Sequence, residues 1–302
     1  LDKNSKLRCF MNFFKWLGHI FVREKSGSVT EFKIDSGNKV KKALCMGINK
    51  YRMFPLRGCV NDAYDLSEML ENQYKFNHVV TMYDDYVTSN SIKEQINKLI
   101  LDPVPDMLVI TYSGHGSTVL DMDGDEEDGK DETWYLMDGN FKDDDIKKML
   151  AGIPEKTQVI VFSDSCHSGT VCRSFLNTMN DSSFVSIPKY IPPQDNMDAI
   201  KLALTPIKKA VFVPINDKQV LLSGCASSEF SYDANINGRA NGAFTAFAIQ
   251  VLMEQPSITY KEFTEKLSKY LPCSQYPQTP QIECSNEMKD KKMFKCWDEL
   301  AV

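Results

Sequence analysis

Apolar positions recur along this chain with two different periods. Short apolar runs bounded by polar residues predict strands at Ala43–Ile48, His78–Tyr83, Met107–Tyr112, Gln158–Phe162 and Val220–Ser223. Helical spacing lies between them. Asn61–Gln73 carries Leu66, Met69 and Leu70 on one face, and Asp143–Leu150 and Ala243–Met253 read as further helices. Ser91, with Glu94 three residues on, predicts a capped helix whose Ile92, Ile96, Leu99 and Ile100 face inward; Thr259 with Glu262 opens another. Strands alternating with helices argue an α/β fold: a mainly parallel central sheet flanked by helices on both faces, with right-handed connections. Residues 171–218 break the pattern. Pro188, Pro192, Pro193, Pro206 and Pro214 punctuate a segment without periodicity, and a long irregular stretch inside a domain is usually functional or disordered.

The first 40 residues read as a separate extension. Phe10, Phe13, Phe14, Leu17 and Phe21 follow helical spacing, but Lys15 and His19 interrupt the run, which is too short and polar to span a bilayer. The reading favoured is a helix docked on the body of the protein; contact with a membrane surface is the alternative. Lys6 and Arg8 precede the apolar run as in a signal peptide, but no A-x-A cleavage site follows. Ser26 to Asn38 is polar and reads as a linker.

Two predicted strands end in chemistry. The run Val159 to Phe162 breaks into Ser163, Asp164, Ser165, Cys166, His167, Ser168 and Gly169; the run Met107 to Tyr112 breaks into Ser113, Gly114, His115, Gly116 and Ser117. In a parallel sheet both ends open on one edge, where α/β folds bind ligands. A thiol is mostly protonated near neutral pH; an imidazole can take its proton and later return it to a leaving amine. Cys166 is therefore the candidate nucleophile and His115 the candidate general base and acid. The N–H groups of Gly116 and Cys166 are candidates for an oxyanion hole. His167 follows the nucleophile directly and is a decoy.

YSGHGS at 112–117 and DSCHSG at 164–169 resemble the two catalytic motifs of metacaspases, caspase-like cysteine peptidases. The caspase Q-A-C-x-G signature shares their separation of about 50 residues but not their sequence. ALCMGINKY (43–51), LRGCVNDA (56–63), DMDGDEEDGKDE (121–132), DDDI (143–146), NGAFTAF (241–247) and YPQTPQI (276–282) extend the resemblance across residues 41–285, in the order of a type I metacaspase or a bacterial relative. It implies a caspase-like peptidase domain over 41–302. A large-subunit-like part would run over 41–172 and a small-subunit-like part over 219–302, both on one sheet, with an irregular linker at 173–218 between them.

The resemblance also implies a pocket for the residue before the scissile bond, lined by Asp62, Asp164, Ser113 and Cys59. Two carboxylates there favour arginine, then lysine, and repel aspartate. Read without it, Asp62 is equally well a favourable charge at a helix N-terminus. Calcium-dependent members bind the ion through aspartates that match Asp131, Asp143 and Asp144. A fourth family ligand falls on Arg173, a cation that would repel the ion, so calcium stays open. The acidic run lacks the EF-hand register and reads by itself as a solvated loop. At SGCASSEFS (223–231) the family's Asp and Gln are replaced by Ser and Glu229. Arg173, Lys189, Lys201, Lys208 and Lys209 in the irregular segment are candidate self-processing sites.

Composition narrows the class further. Net charge is −6 with no basic block, which argues against nucleic acid as partner and suits cationic substrates. Nine cysteines without C-x-x-C spacing suggest a reducing compartment, hence a cytoplasmic enzyme, rather than a disulfide framework or zinc site. The expectation is a monomeric cysteine endopeptidase acting on proteins or peptides, without an organic cofactor. The competing readings are a catalytically silent caspase-like binding module and a calcium-sensing module; the intact His115 and Cys166 argue against them.

Overall fold

The computed structural model describes residues 39–120, 130–166, 186–192 and 216–296. The predicted N-terminal helix and its linker, His167, Arg173, Lys201, Lys208, Lys209 and most of the acidic run lie outside the described residues. The first half holds β1 (Lys41–Gly47), α1 (Cys59–Asn72), β2 (His78–Tyr83), α2 (Ser89–Leu99), β3 (Met107–Ser113), β4 (Gly116–Leu120), β5 (Lys130–Leu136), β6 (Gly139–Lys142), α3 (Asp143–Ala151) and β7 (Gln158–Asp164). The second holds β8 (Ser186–Pro188), β9 (Gln219–Ser223), β10 (Tyr232–Ile236), β11 (Arg239–Gly242), α4 (Ala243–Glu254), α5 (Tyr260–Leu267), β12 (Gln281–Glu283) and α6 (Asn286–Lys289).

Six strands form the central sheet in the order β12-β9-β7-β3-β1-β2. The inner pairings and that with β2 are parallel; only β12, at one edge, runs antiparallel. Successive strand residues point to opposite faces, and the core divides accordingly. Ala43, Cys45, Val109, Ile160, Phe162, Val220 and Leu222 meet Leu66 and Leu70 of α1, Phe244 and Ile249 of α4, and Phe263 of α5. Leu44, Met46, Leu108, Ile110, Val159, Val161 and Leu221 meet Ile92 and Ile96 of α2 and Ile146 and Leu150 of α3. Both faces are thus covered, which is why these strands read as unbroken apolar runs.

Cap chemistry differs from expectation at one helix. Thr88, not Ser91, caps α2: its hydroxyl accepts from the Ser91 N–H, and Ser91 closes the box from the third helical position. Glu94 instead pairs with Lys98 one turn on. Thr259 and Glu262 form the expected box on α5.

Two small antiparallel sheets stand beyond the predicted elements, β4-β5-β6 and β11-β10-β8. The β10–β11 hairpin pairs Ile236 with Arg239 across Asn237-Gly238. Both turn residues have positive φ, at 56° and 87°, the turn geometry that the Asn-Gly dipeptide suits. Strand β8 comes from the segment read as irregular. It lacks periodicity because it lies across β10, with Pro188 opposite Tyr232 and Ile187 opposite Asp233, rather than presenting one face to a core.

Candidate active site

Register brings the two predicted strand ends together. Strands β3 and β7 pair Ser113 with Asp164, so His115 and Cys166, each two residues further on, leave the sheet at the same level. Neither residue is exposed.

His115 is fixed from several sides. Its N–H donates to the Tyr51 hydroxyl (2.9 Å), and the Tyr112 hydroxyl donates to its carbonyl (2.7 Å). The Tyr51 ring lies 4.5 Å from the imidazole, while Tyr112 is stacked on Trp134 at 4.7 Å. On the ring, Nε2 lies 2.6 Å from the Phe54 carbonyl. A carbonyl only accepts, so the proton belongs on Nε2 and the lone pair on Nδ1. Nδ1 is buried and has no hydrogen-bond partner among the described residues. Phe54 holds its carbonyl there at a φ of 57°, in the left-handed region. Burial, reinforced by the nearby Lys189 ammonium, lowers the His115 pKa to about 3, so the ring is neutral in this state. The sequence reading had no role for Tyr51, Phe54 or Tyr112, although Tyr51 stands in ALCMGINKY and Tyr112 in YSGHGS.

The Cys166 thiol sits against the main chain of Ser231. It donates to the Ser231 carbonyl (3.2 Å), and its sulfur accepts from the Ser231 N–H (2.9 Å). The two candidate oxyanion donors converge on one atom. Gly116 N–H (2.9 Å) and Cys166 N–H (3.2 Å) both donate to the carbonyl of Lys189. The Lys189 N–H donates to the Ser231 carbonyl at 2.8 Å. Residues 186–192 therefore lie across the candidate site as an extended peptide: β8 pairs with β10 before Lys189, and Tyr190 bridges to Gly116 after it.

The Lys189 side chain enters the predicted pocket and is fully buried. Its ammonium lies 2.9 Å from Ser113 Oγ, 3.2 Å from Asp62 Oδ2 and 3.1 Å from Asp164 Oδ2, which matches its three N–H donors with three acceptors. Burial opposes the charge, yet Asp164, with Cys59 and Asp62, more than offsets it and holds the pKa well above its usual value. Burial likewise pushes Asp62 above the ordinary carboxylate range, with Lys189 pulling it back. Cys59 is buried one turn before Asp62, where the same ammonium acts on its thiol. Thus Asp62, Asp164, Ser113 and Cys59 come together around one ammonium.

The carboxylates are oriented by groups the sequence reading left without roles. Asp62 Oδ1 accepts from Asn241 Nδ2 and the Gly242 N–H, each at 2.9 Å. Asp164 Oδ2 accepts from the Thr245 N–H (3.1 Å) and hydroxyl (2.7 Å), and the Ser231 hydroxyl donates to Oδ1. A Cβ on Gly242 would collide with Asp164 Oδ2, the Lys189 ammonium and Asp62 Oδ2 together; only glycine leaves the pocket open. Helix α1 holds Asp62 in its first turn, and its first N–H groups are capped from afar. Asp233 takes those of Arg57 and Gly58 (2.7 and 2.9 Å), and Asn49 takes those of Cys59 and Val60 (2.9 and 3.3 Å). Gln278 donates to the Gly224 carbonyl (2.7 Å) and Ser231 hydroxyl (3.2 Å), steadying the loop behind Cys166. Glu229 lies outside the pocket and braces Ala226 (3.3 Å) and Thr279 Oγ1 (2.9 Å).

The candidate calcium ligands each face a lysine. Asp131 on β5 is paired with Lys142. Asp143 and Asp144, opening α3, face Lys147 at 2.9 and 3.5 Å. No group of three His, Cys, Asp or Glu side chains able to hold a metal occurs among the described residues. In this state these aspartates are paired with lysine ammonium groups, and Asp143 Oδ1 is buried without a hydrogen-bond partner among the described residues. Among the described residues no helix is long and apolar enough to cross a membrane.

Cys166 and His115 thus leave neighbouring strands at one sheet edge, with two N–H groups aimed at one carbonyl oxygen, an arrangement suited to acyl transfer by a thiol. Comparison with known proteins gives the family. The caspase domain family model matches residues 40–291. Metacaspase-1 of Scheffersomyces stipitis is 31% identical over 303 aligned positions, covering 87% of this chain and 74% of the relative. Metacaspase-1 of Kluyveromyces lactis is 29% identical, covering 84% and 68%. A Geobacter sulfurreducens crystal structure superposes with a TM-score of 0.63 at 26% identity, covering 85% of this chain and 99% of that one. Caspase-1 of Spodoptera frugiperda shares the fold at a TM-score of 0.54 and 13% identity, covering 88% and 96%. The chain belongs to the caspase-domain family of cysteine peptidases, as a metacaspase.

Proposed function

We propose that this cysteine peptidase cuts proteins after lysine or arginine, and that the uncut chain is poised to cut its own Lys189–Tyr190 bond. One observation carries the reading: Lys189 has its ammonium on Asp62, Asp164 and Ser113 while its carbonyl accepts from Gly116 and Cys166. That is the posture of a substrate residue before a scissile bond.

The chemistry follows from these positions. His115 Nδ1 takes the Cys166 proton, and the sulfur attacks the Lys189 carbonyl carbon. Charge gathers on the oxygen, where the Gly116 and Cys166 N–H groups already point. The C–N bond breaks as His115 returns the proton to the Tyr190 nitrogen. Water then hydrolyses the thioester, leaving a carboxylate on Lys189 and a free thiol on Cys166. A lysine side chain satisfies the pocket with three hydrogen bonds, so lysine is expected to be accepted alongside arginine. A substrate aspartate would add a third negative charge where desolvation already disfavours two.

The test is expression of the wild-type, Cys166→Ala and Lys189→Asp chains, with fragments identified by N-terminal sequencing. Wild type should yield a fragment beginning at Tyr190, and Cys166→Ala should stay whole. Lys189→Asp should lose that cut. Added peptides should be cleaved by wild type after Lys or Arg and spared after Asp; the opposite preference, or turnover by Cys166→Ala, ends this reading.

A further inference from the structure

Beyond the Lys189–Tyr190 bond the peptide stays buried. Tyr190 is fully buried, in an apolar cluster with Cys166, Cys225 and Phe230, against which Phe54 and Tyr232 also pack. Its ring centroid lies 6.2 Å from that of Phe230. Ile191, 2% exposed, packs with the second face of the core, the cluster that includes Trp134 and Tyr51.

The main chain is held as firmly. Ile191 N–H donates to the Gly116 carbonyl at 2.9 Å, and the Ser117 hydroxyl donates to the Ile191 carbonyl at 2.8 Å. Strand β4 therefore contributes Gly116 twice, its N–H to the carbonyl before the bond and its carbonyl to the second residue after it. An extended peptide gripped through its main chain must place successive side chains in fixed sites. Here the first such site is ringed by aromatic side chains and the second, apolar, holds a branched aliphatic one.

We infer that the enzyme reads the two residues after the cleaved bond, taking an aromatic side chain in a site formed by Cys225, Phe230 and Phe54 and a branched aliphatic one next to it. This rests on the cleavage reading above and extends it. The substrates it defines are extended segments carrying a basic residue followed by an aromatic and an aliphatic one. The leaving group is then itself recognised, its ring sharing one apolar cluster with the thiol. A small or acidic residue at that position would leave the aromatic walls wetted or bury a charge among them.

The experiment uses the full chain and internally quenched peptides built on Ser-Ile-Pro-Lys-Tyr-Ile, with Tyr replaced in turn by Phe, Leu, Gly and Asp, and a second set with Lys replaced by Asp. The expected result is a kcat/KM for Tyr and Phe at least tenfold above Gly and Asp. In Phe230→Ala the ratio of Tyr to Gly should fall toward one. In the chain itself, Tyr190→Gly should slow appearance of the fragment by a similar factor. Cleavage that needs the lysine but is flat across the following position overturns this inference and leaves the peptidase reading standing. Cleavage of no lysine peptide, or equal cleavage after aspartate, overturns both.

Discussion

Two lysine–aspartate groups in this molecule use the same ions in opposite ways. Lys189 lies between Asp62 and Asp164, with side-chain exposures of 0%, 0% and 1%. Lys147 lies between Asp143 and Asp144, with exposures of 27%, 13% and 20%. In the first, the side chains are shut off from bulk solvent, so each charge is held by its partners and by hydrogen bonds from Ser113, Asn241, Gly242, Thr245 and Ser231. In the second, solvent reaches the group and screens it. A buried group of this kind is selective because any occupant other than a cation leaves carboxylates stranded; a partly solvated one tolerates many occupants and discriminates little.

The sharpest way to break the first group is to fill it. Gly242→Ala places a methyl where Asp62, Asp164 and the lysine ammonium meet. A loss of at least a hundredfold in kcat/KM on lysine peptides is expected, with the fold kept; near-normal rates would mean that cleaved side chains bind elsewhere. Removing the cations compares the groups directly. In the Cys166→Ala chain, Lys189→Met should cost ~3–5 kcal/mol in urea unfolding, because two buried carboxylates lose their partner. Lys147→Met should cost less than ~1 kcal/mol. Equal costs would remove the distinction between them.

Titration sharpens the contrast at the dyad. His115 has a folded pKa of about 3 against an ordinary 6.5. Between those values the unfolded chain binds more protons than the folded one. The contribution of this residue to stability is therefore present above pH ~6.5 and lost as the pH falls toward ~3, by up to ~1.4 kcal/mol per pH unit. His115→Gln in the Cys166→Ala chain should flatten that part of the stability profile; an unchanged slope would place the loss in other residues. Asp233, pushed up to about 6 mainly by burial, works in the opposite sense. Its contribution is present below pH ~3.8 and lost as the pH rises through ~6, so the two must be separated by Asp233→Asn. The smallest effect is expected at the solvated group. Peptide hydrolysis in calcium and in chelator should agree within about twofold, since Lys142 and Lys147 already offset two of the three charges on Asp131, Asp143 and Asp144; a tenfold rise in calcium would show that the ion displaces them.

Much of this architecture was legible in advance because it depends on short-range pattern. Parallel strands covered on both faces write themselves as apolar runs, so β1, β2, β3, β7 and β9 could be placed to within two residues; α1 shows by its periodicity and α5 by its Thr259–Glu262 box. The small sheets were not, although Asn237-Gly238 signalled one hairpin. Strands of three to seven residues that pair at a rim or cradle a peptide carry no clean alternation. The cap of α2 was misplaced by three residues because Ser91 and Thr88 share the same box, and only geometry says which one stands at the helix entrance.

The sequence by itself determined the residue types at the site: a cysteine and a histidine at the ends of two apolar runs, and aspartates at Asp62 and Asp164. Those follow from motifs, which are local. Tertiary structure alone decided which lysine fills the pocket. Lys189 was one of five candidates, with nothing in its neighbourhood to single it out. It is distinguished by Gly116, Cys166 and Ser231 binding its main chain and by Asp62, Ser113 and Asp164 binding its ammonium. Those six residues come from four separate stretches of the chain. Recognition here is a convergence of distant atoms on one residue, and no linear pattern encodes a distance between elements that meet only when the sheet is assembled.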